Sequence, residues 1–386
     1  MSTSPDAYWL ALRRVHGVGP RSCRLLIERF GSPEQVFAAD ERAIAACGIP
    51  RPAAHNIKEF KEFEPVEKEL CELPRLDARL VRWTDDEYPT NLRHIADPPP
   101  FFFLRGTLAN DPKCVAVVGA RAASDAGRRM ASRLGLELAA KGFTVVSGLA
   151  RGIDSEAHQG ALDADGRTVA VLGCGIDVIY PPENRKLAEN IIAGGGALLS
   201  ELPVGTPPVA ENFPARNRLI SGLCLGVVIV EAAEKSGSLI TARMALEQDR
   251  QVFAVPGSPL TGKTRGSNRL LREGARLVEC VEDVIEELAP QLVGAEGFAF
   301  VENGGTPNNA QRFSRPDVSG TSDSVQDEAK LLLKQLRGAE KLHIDSIIES
   351  SGLNTQTVLR LLLELELKGV VTQHPGKLFS LSRSAS

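Results

Sequence analysis

CVAVVGARAASDAGRRMASRLGLELAAKGFTVVSGLARGID, Cys114 to Asp154, is the stretch that decides the fold. It opens on a short apolar run, Val115 to Val118, and a turn, Gly119-Ala120-Arg121. A helix pattern fills Ala126 to Ala140, with Leu134, Leu138 and Ala139 at helical spacing, and Gly142 ends it. A second apolar run, Phe143 to Val146, leads into a turn at Ser147-Gly148. Short apolar strands alternating with helices build parallel β-α-β units. Such sheets bind ligands beyond the carboxyl ends of their strands, where helix N-termini point. Both turns carry an arginine, Arg121 and Arg151. Between Val115 and Arg151 six residues are basic and two acidic. A cationic strand-end crevice for a phosphate-bearing partner is expected.

What the turn lacks also counts. A dinucleotide fold needs G-x-G-x-x-G here and an acid about 20 residues on for the ribose. Only Gly119 is present, and the second strand ends in Ser147. Nicotinamide and flavin cofactors are not expected.

Working outward, the alternation continues. Thr168–Leu172, Ala197–Ser200, Val227–Glu231, Gln251–Val255 and Ala275–Val278 read as strands. Glu183–Ala193, Leu239–Gln248, Ser267–Glu273 and Val281–Leu288 read as helices. This predicts an α/β fold: one doubly wound, mostly parallel, Rossmann-like sheet domain over 80–290. Asp97-Pro98-Pro99-Pro100 leads into Phe101-Phe102-Phe103, read as core rather than a stacking platform. Residues 1–75 read as a helical domain, SAM-like or helix-hairpin-helix. In it, helices Tyr8–Val15 and Arg21–Phe30 flank His16-Gly17-Val18-Gly19-Pro20. The amides of such a hairpin can face a DNA phosphate. Residues 291–325, rich in Gly, Asn, Ser, Thr and Pro, read as a flexible linker. Residues 326–386 read as a winged-helix domain, with helices Asp327–Leu336 and His343–Ser350 and with Thr372–Ser380 as its wing. Its recognition helix would be Asn354–Lys368, where Arg360 and Lys368 stand against Glu364 and Glu366. That is a poor duplex reader, and a protein-contact or structural role is the better expectation.

Composition bounds the function. The chain has 386 residues and a net charge of −4, so nucleic-acid binding must come from a local patch. Its seven cysteines form no C-x-x-C pair, and the odd count argues against a disulfide framework. A reduced, cytoplasmic setting is expected. Residues 1–20 do not read as a signal peptide, and no apolar run reaches the roughly 18 residues that span a bilayer.

Three further stretches carry chemistry. Asn212-Phe213-Pro214-Ala215-Arg216-Asn217-Arg218 combines guanidinium groups, which contact phosphates bidentately, with a ring that can stack on a base. Ser147 to Asp154, with Gly148 and Gly152, offers backbone amides at a strand-to-helix turn, an anion cradle. Asp154 is expected to cap the helix that follows, with His158 as an ordinary helix residue. Ser236-Gly237-Ser238 opens another helix beside Lys235 and could hold a second phosphate. Gly257-Ser258-Pro259-Leu260-Thr261-Gly262-Lys263-Thr264 matches the P-loop pattern. A P-loop needs a long helix opening at its Lys and Thr. Arg265-Gly266-Ser267 follows instead. It is read as a mobile glycine-rich loop.

With these residues in view, the chain resembles the DprA/Smf family of DNA-processing proteins of natural transformation. G-S-R-x-x-S-x-x-G appears as Gly119 to Gly127, and S-G-x-A-x-G-I-D as Ser147 to Asp154, followed by Ala157-His158. Y-P-x-x-N is Tyr180 to Asn184, S-E is Ser200-Glu201, and F-P-x-R-N-R is Phe213 to Arg218. The S-G-S-L-I-T and V-P-G turns match as well. The resemblance implies an extended Rossmann domain that binds single-stranded DNA. It further implies a homodimer that loads RecA onto incoming strands during competence and recombination and relieves their coating by single-strand binding protein. No catalysis, metal or cofactor is implied. The DNA contacts implied are Gly119, Arg121, Ser124, Ser147, Gly148, Arg151, Gly152, Phe213, Arg216, Asn217, Arg218, Lys235, Ser236 and Ser238. Arg121, Arg151, Arg216 and Arg218 should line one crevice. Two positions depart from the pattern: Ala120 replaces serine, and Ala210-Glu211 stand where some members carry lysine.

Two enzyme classes are the alternatives. The strand-end architecture also resembles nucleotide phosphoribohydrolases once called lysine decarboxylase-like, which use P-G-G-x-G-T-x-x-E. Here Ala242-Arg243-Met244 follows the matching turn, and no carboxylate comes before Glu247. A P-loop-like ATPase would depend on Lys263.

Overall fold

Prolines and side-chain caps set the first helices in the computed structural model, which describes residues 4–110, 112–293 and, of the remainder, 342–351, 358, 361, 362, 365, 370–374 and 378–381. Helices α1 (Pro5–Arg14), α2 (Pro20–Phe30) and α3 (Pro33–Ala38) each begin on proline, whose missing N–H is unneeded there. Ser4 and Ser32 cap the first and third. Helices α4 (Glu41–Ala45), α5 (Arg51–Glu59) and α6 (Phe63–Glu72) complete this region.

The chain then enters a nine-stranded sheet. Its strands are β1 (Ala78–Arg82), β2 (Phe101–Gly106), β3 (Cys114–Val118), β4 (Thr144–Ser147), β5 (Thr168–Val171), β6 (Ala197–Ser200), β7 (Gly226–Ile229), β8 (Gln251–Ala254) and β9 (Arg276–Leu277). They lie in the order β1-β2-β6-β5-β4-β3-β7-β8-β9. All neighbours from β6 to β9 run parallel, while β1 and β2 add an antiparallel edge. The central parallel strands are buried on both faces, which is why they read as continuous apolar runs.

Helices α8 (Asp125–Ala140), α9 (Ile153–Asp163) and α10 (Arg185–Ala193) link β3 through to β6, stepping one way across the sheet. Helix α11 (Asn212–Leu223) then carries the chain back past β3, and α12 (Ser238–Glu247) and α13 (Arg265–Arg272) continue outward. The direction of winding therefore reverses between β3 and β7. Such a switch point opens a crevice at the carboxyl edge of the sheet. The helix expected over Ser267–Glu273 opens two residues earlier, at Arg265. Helix α14 (Val281–Val293) runs three residues into the expected linker. The rest of that linker lies outside the described residues.

The aromatic run in β2 is core, as its sequence suggested. Phe102 faces Tyr88, with ring centroids 5.3 Å apart, while Phe101 and Phe103 face the opposite side. That second side shares one apolar cluster with the helices of 5–72, through residues such as Leu10, Leu172 and Ile176. The N-terminal helices thus pack on the sheet rather than standing apart.

Residues 301–386 form a second unit. Leu342–His343, Val371–His374 and Leu378–Leu381 make a three-stranded antiparallel sheet, and Ile344–Ser351 is helical. Ile347, Val358, Leu361, Leu362, Leu365, Val371 and Phe379 form its core. The wing hairpin expected from the sequence is the pairing of Val371–His374 with Leu378–Leu381. Of the expected recognition helix, only Val358, Leu361, Leu362 and Leu365 are described; Arg360 and Lys368 are not. The helix expected over Asp327–Leu336 also lies outside the described residues.

Candidate functional site

The turns after β3, β4 and β7 meet the start of α11 at the switch point. Between them lies a cleft of about 500 Å³. Gly119, Arg121, Ala150, Asp154, Tyr180, Phe213, Arg216, Asn217, Ser236, Gly237 and Ser238 line it. Gly152 draws two of these turns together. Its φ is +76°, and a Cβ there would sit 2.4 Å from the Ala120 carbonyl oxygen. No side chain fits, so the two arginine-bearing turns can touch.

Phe213 is half-buried at the rim. The Arg121 guanidinium carbon lies 5.2 Å from its ring centroid and that of Arg216 5.7 Å, both within cation–π range. Tyr180 lies on it at 5.9 Å, tilted by 46°. Arg121 is exposed and forms no ion pair among the described residues, so it can meet an anion from solution. Arg151 sits nearby but is paired with Glu183, on the surface.

Arg216 is a different kind of arginine. It is 5% exposed, and its Nη1 donates to the carbonyls of Gly148, at 3.0 Å, and Val171. Its Nε donates to Asn217 Oδ1 at 3.3 Å. Burial pulls its pKa down to about 10, with the Asp154 carboxylate opposing that shift. Asp154 accepts the amides of Gly148 at 3.1 Å and Ala150 at 3.4 Å. The anion cradle read from Ser147 to Asp154 therefore holds the chain's own carboxylate. Asp154 sits inside α9 and ties down the preceding turn rather than capping the helix. Burial nevertheless raises its pKa.

Other expected contacts are engaged elsewhere. Ser147 is fully buried, and its Oγ donates to Val117 O at 2.7 Å. Ser124 caps α8 and donates through Oγ to Glu231 Oε2 at 2.6 Å. Arg218 does not line the cleft. Its Nη2 pairs with Glu201, and its Nε lies 3.2 Å from Asp97 Oδ2. The heptad is helical from Asn212, so alternate residues diverge by about 200° around the helix. Arg216 and Arg218 cannot share one face. Ser236 and Ser238 do reach the cleft, with their hydroxyls 2.8 Å apart. Lys235 is exposed beside them.

The structure also adds partners that side-chain chemistry alone had not marked. Tyr180 backs Phe213, and Asn184 Nδ2 donates to Leu149 O at 2.8 Å and Ser155 Oγ at 2.9 Å, bracing the β4 turn. The Y-P-x-x-N motif was their signal. His158 is fully buried, with Nδ1 2.6 Å from Thr168 Oγ1. That hydroxyl donates to Val145 O, so the imidazole carries its proton on Nδ1. Burial pushes its pKa down to about 3, far from that of a base poised near neutrality.

The P-loop-like stretch, read as a mobile loop, is hydrogen-bonded to its surroundings. Gly257 is clamped by Asn268, which accepts its amide at 3.1 Å and donates to its carbonyl at 2.8 Å. Lys263 Nζ donates to Ala122 O at 2.9 Å and Thr264 Oγ1 to Ser258 O at 2.7 Å. The two groups a P-loop turns to phosphate and magnesium are bound to backbone carbonyls. Among the described residues no three His, Cys, Asp or Glu side chains gather as a metal site, and no helix is long and apolar enough to cross a membrane.

The chain is similar to known proteins. Residues 79–289 match the family model for DNA recombination-mediator protein A, and 317–377 match that for the DprA winged helix domain. Protein Smf of Synechocystis is 34% identical over 97% of this chain and 98% of its own length. The X-ray structure of DNA processing protein A from Streptococcus pneumoniae is 35% identical, with a TM-score of 0.64, over 74% of this chain and 99% of that one. DNA processing protein A from Helicobacter pylori, solved for its single-stranded DNA binding mode, is 30% identical, with a TM-score of 0.50, over 55% of this chain and 96% of that one. Two family models and near full-length identity to Smf agree with the motifs at the cleft: the chain belongs to the DNA recombination-mediator protein A family, DprA/Smf.

Proposed function

We propose that this DNA-processing protein binds single-stranded DNA at the switch-point cleft, with Phe213 meeting an unstacked base and Arg121 a phosphate. The observation that carries the reading is the pairing of a half-exposed aromatic ring with an exposed, unpaired guanidinium at the mouth of a cleft of about 500 Å³. Ser236 and Ser238 line the cleft as well, and Lys235 is exposed beside them. Backbone contact dominates such binding, and stacking tolerates any base. The relative from Helicobacter pylori supports the same ligand. Arg216 and Asp154 act as the floor that holds the turns in place.

The family resemblance extends the proposal. The protein is a cytoplasmic homodimer that loads RecA onto the bound strand, displaces single-strand binding protein and has no catalytic activity of its own. Domains 1–75, 80–290 and 326–386 divide the work, the middle one holding the DNA. Two observations disfavour the enzyme alternatives. Lys263 and Thr264 are engaged by carbonyls, and the carboxylate in the cleft, Asp154, already accepts two amides.

The test is a titration of the full chain with a labelled single-stranded oligonucleotide and its duplex at two salt concentrations. Single strands should bind more tightly, with steep salt dependence. Preference for duplex, or DNA-stimulated ATP hydrolysis abolished by Lys263→Ala, would overturn the reading.

A further inference from the structure

The braced loop between β8 and α13 has no role in the cleft. Its tip, Leu260, is 94% exposed. A lone exposed leucine is ordinary, but this loop is braced by hydrogen bonds. Besides the Asn268 clamp on Gly257, Ser258 collects four bonds: its Oγ accepts the Leu260 amide at 3.3 Å, and its carbonyl accepts the Thr261 amide and the hydroxyls of Thr261 and Thr264. Lys263 latches the loop to Ala122, the residue after Arg121. The loop is thereby fixed beside the turn that delivers the exposed cation of the cleft.

Charge gives the partner's chemistry. From Gly257 to Arg272 there are four basic residues and no acidic one. Lys263, Arg265 and Arg272 are exposed and form no ion pair among the described residues. Arg121 adjoins them through the latch, and Arg128 and Arg129 follow on α8. Against these stand Asp125 and Glu234. An apolar tip set among unpaired cations suits a polyanion whose apolar faces are unstacked, which is single-stranded nucleic acid.

We propose that the loop Pro256–Thr264 is a second DNA subsite, outside the cleft, that takes the next nucleotides of the same strand. Leu260 packs on a base, and Arg265 meets a phosphate. This rests on the cleft reading above and extends it along the β3–β7–β8 edge.

The experiment compares oligothymidylates of four and twenty nucleotides on the full chain, with Leu260→Ser and Arg265→Ala beside Phe213→Ala. Leu260 is exposed, so its substitution leaves the fold intact. Expected is a fall in the ratio of twenty-mer to four-mer affinity for Leu260→Ser, smaller than the roughly fivefold loss of one aromatic stack. For Arg265→Ala the twenty-mer salt slope should be shallower by about 0.7. Phe213→Ala should weaken both oligomers. If Phe213→Ala weakens binding while both loop variants keep the wild-type ratio and slope, the loop is off the DNA path and the proposal fails alone. If Leu260→Ser instead lowers the sedimentation coefficient without changing DNA affinity, the loop joins copies of the chain and the proposal is likewise wrong. If Phe213→Ala also has no effect, the cleft reading falls with it.

Discussion

Asp154 and Arg216 grip opposite ends of one residue. The Gly148 amide donates to Asp154 Oδ2 at 3.1 Å, and the Gly148 carbonyl accepts from Arg216 Nη1 at 3.0 Å. A carboxylate and a guanidinium, both buried, thus fix the turn after β4 from either side. The cleft floor is a structural ion network, and its rim, Arg121 and Phe213, is where a ligand has access.

Gly148→Ala tests that grip. A Cβ would stand 2.6 Å from Arg216 Nη2 and 2.8 Å from Asp154 Oδ2. Overpacking of this kind costs about 1–3 kcal/mol. The denaturant midpoint should fall by that equivalent, and single-strand affinity should fall with it. An unchanged midpoint would show that the floor yields without strain.

Phe213 and Arg121 should not act independently. Losing one stacked base costs about 1–3 kcal/mol, roughly 5- to 150-fold in affinity. Phe213→Ala should do this and leave the salt slope unchanged. Arg121→Ala should make the slope shallower by about 0.7. Because the guanidinium rests on the ring, the double variant should lose less than the sum of the two. A double-mutant cycle at two salt concentrations reads all three quantities.

Arg218→Ala should act on stability instead. Removing it strands Glu201, whose pKa burial already raises, beside Asp97. Breaking a buried pair from one side costs about 3–5 kcal/mol. Expected is a large drop in melting temperature with no change in the salt slope of DNA binding. A shallower slope in a protein of normal stability would return Arg218 to the phosphate contacts.

His158 sets a pH dependence. Folding lowers its pKa from 6.5 to about 3, because the buried site excludes the charged form. Between those values the unfolded chain binds a proton that the folded one refuses. The contribution is full above about pH 6.5 and is lost as pH falls, by up to about 1.4 kcal/mol per unit. Denaturant curves at about pH 7.5 and pH 5 should show His158→Gln losing less stability on acidification than the wild type. Equal losses would mean that the imidazole is protonated in the fold.

Much of this protein follows from short-range pattern. Apolar runs, glycine turns and helical spacing placed every parallel strand of the sheet within a residue or two, since strands buried on both faces must be apolar throughout. The same reading put Gly119, Arg121 and Phe213 at one strand-end crevice, but also Arg151 and Arg218, and offered the Ser236-Gly237-Ser238 turn for a second phosphate. Pattern could not say which polar groups were already spoken for. Ser124 answers to Glu231, Arg218 to Asp97, and Gly148 to Arg216, partners 107, 121 and 68 positions away. Those bonds are decided by which turns the crossover of α11 brings together. Burial then converts Arg216 from a ligand group into scaffold, because a buried charge must be satisfied inside the protein. Sequence determined the sheet and the cationic edge; the tertiary structure alone decided that Arg121 stays open to solvent while Arg216 and Arg218 are consumed within the fold.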